Sequence, residues 1–382
     1  MLVPFSPYPR DVHENYTQYQ KSNILGPLNI QWLSSQDDAR WDAFVSTHPL
    51  GLVYHLSAWK RVLEDSFSHI RGKFLVLSDP ETGEIQAGLP VYAVKSWLLG
   101  NRTVSIPFAS FCDPLISQPE ELRMLSTGIH DFAERSRSRR IEIRSLRTAN
   151  HCAVSFPDAK TEFKHHYLGL DTTTDALYAS FSKGSIRQSV SKALRSGVLI
   201  EERFDEESLQ ICHCILADTR RRLSLPPMPL RFFESMKRRL GRDHFRIFLA
   251  RHEGRHVACL IVLSFKDLWT SEYSGNSDGA VTGVNQLLYW ETIRRAHASG
   301  ARRFSFGRTS IDNNGLLEYK RRWATVEEDL IHFNEVLRET STSAKAAKHD
   351  RSVRSPIVKS IIRNVPASIY QWIGDFSYRH LG

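Results

Sequence analysis

Two stretches in opposite halves of this chain share one grammar. KFLVLSDPETGEIQAGLPVYAV (73–94) and FRIFLARHEGRHVACLIVLSF (245–265) each read as a strand, a turn and a longer apolar strand. β-Branched and aromatic residues fill the arms, while Asp79-Pro80-Glu81-Thr82-Gly83 and Glu253-Gly254 have turn-forming compositions. In both halves a helical spacing and a short strand follow: 122–136 then 141–143, and 287–298 then 303–306. Residue identity between the halves is weak, so the duplication is one of pattern. A length of 382 residues also exceeds one ordinary core. The pattern therefore predicts two α/β lobes of one architecture. An arm without periodicity occupies 1–27, the first lobe 28–170, the second lobe 171–340, and a basic tail 341–382. Within the lobes, Leu28–Leu33 alternates as a strand, His55–Phe67 repeats apolar residues at helical spacing, Trp269–Tyr273 adds a third strand, and Gly300 is placed to end a helix.

Hydrophobic residues at 41% and charged residues at 24% describe a soluble globular chain, neither disordered nor collagen-like. The longest apolar runs, such as Cys259–Leu263, fall far short of the about 20 residues a membrane span needs. The first thirty residues carry no apolar signal core, and Cys112, Cys152, Cys212, Cys214 and Cys259 are odd in number and scattered. Both features predict a reducing cytoplasm. The formal charge of +9 favours anionic partners and selects none of them. The tail places Lys345, Lys348, Arg351, Arg354, Lys359, Arg363 and Arg379 against Asp350 and Asp375, with Ile369, Trp372, Ile373 and Phe376 at helical spacing. It reads either as a helix docking on the body or as a segment resting on an anionic membrane face.

His252-Glu253-Gly254-Arg255-His256 matches the zinc-protease signature letter for letter. That chemistry needs both histidines on one helical face. Here the flanks are strand-like and Glu-Gly sits where a hairpin turns, so the motif predicts no metal site. Cys212-His213-Cys214 lies in a helical stretch where neighbours point apart. No Gly-rich phosphate loop follows a strand, and no G-x-S-x-G elbow occurs.

Two regions carry more. Residues 183–197 open with Gly-Ser and close on Gly197, with Ile186, Val190 and Leu194 forming one apolar stripe. Ser185 is the expected cap of a helix whose first-turn N–H groups, flanked by Lys183 and Arg187, suit a phosphate. From Trp269 to Trp323 the chain reads WTSEYSG, GVNQLLYWETIRRAHASG, RRFSFGRTS and NNGLLEYKRRW. A Gly-Arg-Thr turn after Phe304–Phe306 is predicted at the end of a buried strand, a common ligand position in α/β sheets. Arg308 and Lys320 are the cations there, and neither suits a dry core.

These residues resemble the Fem-type branch of the GNAT superfamily, also described as acetyltransferase-6 or BioF2-like domains. The resemblance rests on His55 and Trp59 of a His-x-x-x-Trp helix and on Lys192, Ala193 and Gly197. It continues through Leu-Leu-Tyr-Trp-Glu at 287–291, Phe304-x-Phe306-Gly307-Arg308-Thr309, and Tyr319, Lys320 and Trp323. It implies two tandem GNAT-like lobes with mixed, mostly antiparallel sheets flanked by helices, and a substrate channel at or beside their interface. It also implies acyl transfer to an amine, with aminoacyl-tRNA as donor and a peptidoglycan precursor as acceptor in wall-building members, and it maps their reaction-centre lysine onto Lys320. Lys183, Arg187 or Lys60 would then hold the acceptor's phosphates. Ser274–Gly283 lacks the R/Q-x-x-G-x-G/A pyrophosphate loop of acetyl-CoA-binding relatives, and Ala324 stands where many relatives carry Gly.

Amide formation needs a neutral amine, a carbonyl held near it, and charge stabilised on the tetrahedral oxygen. Lys320 as a fixed cation suits the last task, and Glu272 is the candidate base. Tyr273, Trp269 and Trp59 are expected to line a substrate pocket beside Arg308. The leading expectation is an N-acyl or aminoacyl transferase acting on a phosphate-bearing envelope or exopolysaccharide precursor. No tightly bound cofactor is expected, and the donor is aminoacyl-tRNA or another acyl carrier in preference to acetyl-CoA. An acetyl-CoA-dependent small-molecule N-acetyltransferase and a non-catalytic double-GNAT binding module are the alternatives.

Overall fold

The computed structural model describes residues 28–156, 158–338 and 362–381. The proposed arm at 1–27 and the tail up to residue 361 lie outside them. The described residues fall into two compact units. One takes the residues up to Phe163, those from Glu328 to Arg338, and Arg379–Leu381; the other takes Lys164–Glu327 and Ile362–Tyr378. Residues 328–338, read from sequence as part of the second lobe, thus belong to the first unit. Among the described residues no helix is long and apolar enough to cross a membrane.

In the first unit β1 (Asn29–Trp32), β2 (Ile70–Ser78), β3 (Ile85–Val94), β4 (Arg102–Val104) and β5 (Arg140–Ser145) lie side by side in chain order. Ile331–Val336 pairs antiparallel with β5. The helices are α1 (Asp38–Thr47), α2 (Ser57–Ser66), α3 (Pro119–Arg135) and α4 (Ala149–Ser155). Pro119 opens α3 at a position that needs no N–H, and Glu121 accepts from the N–H groups of Ser117 and Gln118 just before it. The α3 stripe Leu122, Leu125, Ile129 and Ala133 then packs with Leu75, Leu89, Ile141 and Ile143 into one core.

The second unit contains β6 (Ala159–Gly169, from Lys164), α5 (Thr174–Ser180), a π-helical turn at Lys183–Arg187 running into α6 (Gln188–Arg195), and β7 (Leu199–Arg203). There follow α7 (Glu206–Arg222), α8 (Leu230–His244), β8 (Phe245–His252), β9 (Arg255–Phe265), β10 (Leu268–Asn276), α9 (Val284–Ala298), β11 (Arg303–Ser310), α10 (Asn314–Arg321), the start of β12 (Val326–Val336), and α11 (Ala367–Tyr378). The strand order is β6-β11-β10-β9-β8-β7. Pairing is antiparallel throughout β7–β10 and parallel at β10–β11, just as it is antiparallel through β1–β4 and parallel at β4–β5. The duplicated grammar is therefore a duplicated topology, with α3 and α9 each crossing into the parallel strand.

At the β8–β9 tip Glu253 and Gly254 both have left-handed φ and His252 pairs with Arg255, so the His-Glu-x-x-His letters form a two-residue hairpin turn. Gly300, at φ +82°, ends α9 as its sequence position predicts. Three local readings are corrected. Leu194 is 52% exposed, because eight residues carry a helix about 80° past its starting face; Ala193 packs inward instead. Ser185 does not cap a helix but lies inside the π turn, its hydroxyl buried with no hydrogen-bond partner among the described residues. Gly307-Arg308-Thr309 is not a turn but continues β11, with Gly307 at φ +68°.

Candidate active site

Strand β10 runs parallel to β11 only over Leu268–Thr270 against Arg303–Ser305, yet both strands continue beyond that point. Immediately afterwards β10 carries a bulge: Ser271 pairs with Val262 and Tyr273 with Ile261, leaving Glu272 as the extra residue. A bulge puts two successive side chains on one face. Glu272 and Tyr273 accordingly both line a cavity of about 230 Å³ under α7, with His213, Thr219, Arg220, Leu223, Met228 and Phe233 among its walls. Helix α7 lies directly on this strand. A Cβ at Gly275 would sit 2.8 Å from Thr219 Oγ1, and that hydroxyl donates to Asn276 O at 2.9 Å.

Within the cavity the Glu272 carboxyl is the unusual group. Its Oε1 is sealed from water and has no hydrogen-bond partner among the described residues. Burial pushes its pKa up to about 8, against the opposing pull of the Arg308 guanidinium on β11. Tyr273 stands edge-on to Phe233, with ring centres 5.3 Å apart, and its hydroxyl is pushed well above the usual phenol value by burial and by Glu272. Arg220 donates to Pro226 O at 2.6 Å and to the Tyr378 hydroxyl at 2.9 Å, which fixes the cavity's outer wall.

Lys320 takes a different position from the one its sequence suggested. It is only 5% exposed, and its Nζ donates to the carbonyls of Gly307 at 2.9 Å and Arg308 at 3.2 Å. Burial brings its pKa down to about 7, so at neutral pH it is not a fixed cation. The cation acting on Glu272 is Arg308. Beside Lys320, His166 is held neutral, its pKa lowered to about 4 by burial and then by the lysine charge. Its Nδ1 lies 3.3 Å from Thr325 Oγ1, which donates to Lys320 O at 3.1 Å. The lysine is thus a pin on the kinked end of β11.

Of the other predicted residues, Trp269 lies in the core with Leu287, Leu288 and Ile293 of α9, the Arg246 guanidinium 4.6 Å above its ring. It faces away from Tyr273 because the bulge reverses the alternation between them. Trp59 and Lys60 belong to the first unit. Trp59 is fully buried against Tyr54, while Lys60 pairs with Glu64 at 3.2 Å and lines a separate cavity of about 310 Å³ with Lys73, Gly72 and Phe74. Lys183 is exposed, and Arg187 is half-buried with its backbone carbonyl accepting from the Tyr178 hydroxyl at 3.1 Å. None of these joins Glu272 and Tyr273 at the cavity.

Sequence reasoning missed the polar seam under the bulge. The Ser271 hydroxyl donates to Ser305 O at 3.0 Å, Ser305 Oγ lies 2.9 Å from His165 Nε2, and Gly307 N–H donates to that same Oγ at 3.0 Å. Tyr289, stacked on Phe306 with ring centres 5.4 Å apart, hydrogen-bonds Ser271 and Ser274. Serines alternating beside aromatics at 271, 274 and 305 were the only available signal.

The site thus comprises a carboxyl of raised pKa on the bulged strand, just past the short parallel pairing of β10 with β11. Residues 180–321 match the family described as an acetyltransferase (GNAT) domain. The matched segment lies wholly within the second unit. Beyond that segment, most of the chain shares its fold with solved structures. It superposes on the crystal structure of FemX with a TM-score of 0.65 at 15% identity, covering 81% of this chain and 97% of that one. A tandem GNAT protein from the clavulanic acid biosynthesis pathway gives 0.55 at 11% identity, covering 82% and 100%. L-PGS from Bacillus licheniformis gives 0.54 at 13% identity, covering 83% and 96%. No curated protein matches the chain in sequence. The domain is of acyltransferase type, and the tandem-lobe expectation holds.

Proposed function

We propose that the second unit transfers an acyl or aminoacyl group to an amine of a phosphate-bearing cell-envelope or exopolysaccharide precursor, at the inner face of the membrane. The observation that carries this reading is Glu272, whose carboxyl opens on a cavity and has a pKa of about 8, close to that of an amine. A base of matched pKa is what deprotonating an ammonium requires. Glu272 takes a proton from the acceptor's ammonium, and the freed lone pair attacks the acyl carbonyl carbon. The C–N bond forms while the carbonyl electrons move onto oxygen, whose charge the Arg308 guanidinium, the cation acting on Glu272, balances. The carbonyl then re-forms as the bond to the carrier oxygen or sulfur breaks. Glu272 returns its proton to that leaving atom, and the remaining ammonium proton goes to solvent. Lys320 orients Arg308 through the two carbonyls it holds.

The packing of α9 supports a carrier other than acetyl-CoA. A helix N-terminus is where a pyrophosphate sits, but Gly283 there, at φ +90°, is so close to Ser189 of α6 that a Cβ would lie 2.1 Å from the Ser189 carbonyl oxygen. FemX and L-PGS share the fold, and an envelope precursor with aminoacyl-tRNA as donor is consistent with that likeness. Mass spectrometry of polysaccharide and muropeptide fractions from cells with and without the protein tests the reading. An acyl or aminoacyl increment should vanish in its absence, return with the wild type and stay absent with Glu272→Gln. Restoration by Glu272→Gln would remove the carboxyl from the chemistry.

A further inference from the structure

Helix α11 is packed inside out. Its inward stripe is Tyr370, Gly374 and Tyr378, all buried, while Ile369, Trp372 and Phe376 face solvent, Trp372 at 64% exposure. The docking is specific. A Cβ at Gly374 would meet Pro227 O at 2.4 Å, the Tyr370 hydroxyl lies 3.0 and 2.9 Å from the carbonyls of Ala217 and Leu225, and Asp375 pairs with Arg231 at 3.0 Å. Seating the helix therefore forces its largest apolar groups outward, at i, i+3 and i+7, with the Trp372 and Phe376 rings stacked 5.6 Å apart. The elbow between α7 and α8 adds to them. It is tied to the segment before α11 by Arg363 Nε donating to Ser224 Oγ at 2.7 Å, and it exposes Leu223 at 63% and Leu225 at 39%.

We infer that this face of α11 and the 223–225 elbow rest on an anionic lipid surface. Apolar groups grouped on two adjoining elements, with Trp among them, fit the boundary between headgroups and acyl chains better than scattered surface residues do. Charge complementarity selects a lipid surface over a second copy of this basic chain. The sequence leading into the helix, 341–363, carries Lys345, Lys348, Arg351, Arg354, Lys359 and Arg363 against Asp350 alone. Such a cluster is attracted to acidic headgroups and repelled by a like-charged copy of itself. The inference names the surface that would bring the protein to a membrane. It stands on the packing of α11, so its failure removes the membrane location from the proposed function and leaves the acyl-transfer chemistry at Glu272 untouched.

The test is sedimentation of the full chain with vesicles of phosphatidylcholine, and with vesicles in which a third of the lipid is phosphatidylglycerol, at low and high salt. Wild type should pellet with the anionic vesicles, less at high salt, and stay in solution with the neutral ones. The Trp372→Ser/Phe376→Ser variant, whose inward stripe is intact, should keep its melting temperature and bind at least about tenfold more weakly. The inference is overturned by wild type that ignores anionic vesicles, or by a double variant that binds as well as wild type. It is equally overturned by light scattering that finds wild type dimeric and the variant monomeric, which makes the stripe a self-association face.

Discussion

At the scale of single residues, the raised carboxyl and the lowered ammonium have opposite and measurable signatures. Glu272 has a folded-state pKa of about 8 against 4.5 when free. Between those values the folded chain holds the extra proton, so its stabilising effect is complete below pH 4.5 and is lost as pH rises through 8. Glu272→Gln should melt with wild type near pH 4.5 and above it at pH 8.5, by on the order of 2 kcal/mol after discounting the full shift for a half-buried residue. The same variant should lose roughly 10²- to 10⁴-fold in transfer rate together with the wild-type rise in rate through pH 8. Melts that run parallel at all pH values would show that the carboxyl is solvated. Lys320 behaves in reverse, with a folded pKa of about 7 against 10.5. The unfolded chain holds the extra proton across that window, so this group makes stability climb from pH 7 to 10.5. Lys320→Met should abolish the climb and cost about 1–3 kcal/mol at pH 7, because the Gly307 and Arg308 carbonyls lose their donor. Unchanged stability would mean that the lysine is not the pin its contacts describe.

At the scale of elements, the strands and helices followed from periodicity because a half-buried strand or helix must show its face in the sequence. Ile85–Val94 and the hairpin at Glu253-Gly254 are read directly from alternation and turn chemistry. Irregularities have no such signature. Trp269 and Tyr273 are four apart and on a regular strand share a face; the extra residue at Glu272 puts them on opposite faces, and no residue type announces a bulge. Gly307 looks like a turn residue and is instead a kink within β11. Ala324 is the converse case: its φ of +55° shows why Gly suits that position. So the motifs fall on β10, β11 and the helix after it, while the cation acting on Glu272 is Arg308 and Lys320 is turned to the β11 carbonyls. The contact between α6 and α9 is another such feature, and it is testable. Gly283→Ala combines a left-handed φ with a Cβ 2.1 Å from a backbone oxygen, so α9 must move. A loss of at least about 3 kcal/mol is expected in denaturant titration. A loss below about 1 kcal/mol would show room at the helix N-terminus and reopen acetyl-CoA as donor.

At the scale of the molecule, neither unit is one continuous segment. The chain leaves the first unit within β6, returns to it in β12, and then supplies α11 to the second unit before Arg379–Leu381 rejoin the first. The GNAT match at 180–321 therefore stops short of what the second unit needs, because Ile362, Tyr370 and Tyr378 are buried in it and Tyr378 bonds the Arg220 that walls the Glu272 cavity. Ending the chain after Arg338 removes those three side chains from the second unit and leaves the Ala217 and Leu225 carbonyls without the Tyr370 hydroxyl. Burial of that size contributes about 3–5 kcal/mol. At about 2–4 °C per kcal/mol for a unit of this size, the truncated chain should melt roughly 6–20 °C lower. If calorimetry resolves two transitions, the second unit's should move further than the first unit's, since most of the lost contacts are its own. Transfer should fall with it, because Arg220 and Leu223 frame the pocket and both lie at the elbow that α11 holds. A truncated chain that melts and reacts like the full one would mean that the C-terminal helix does not dock.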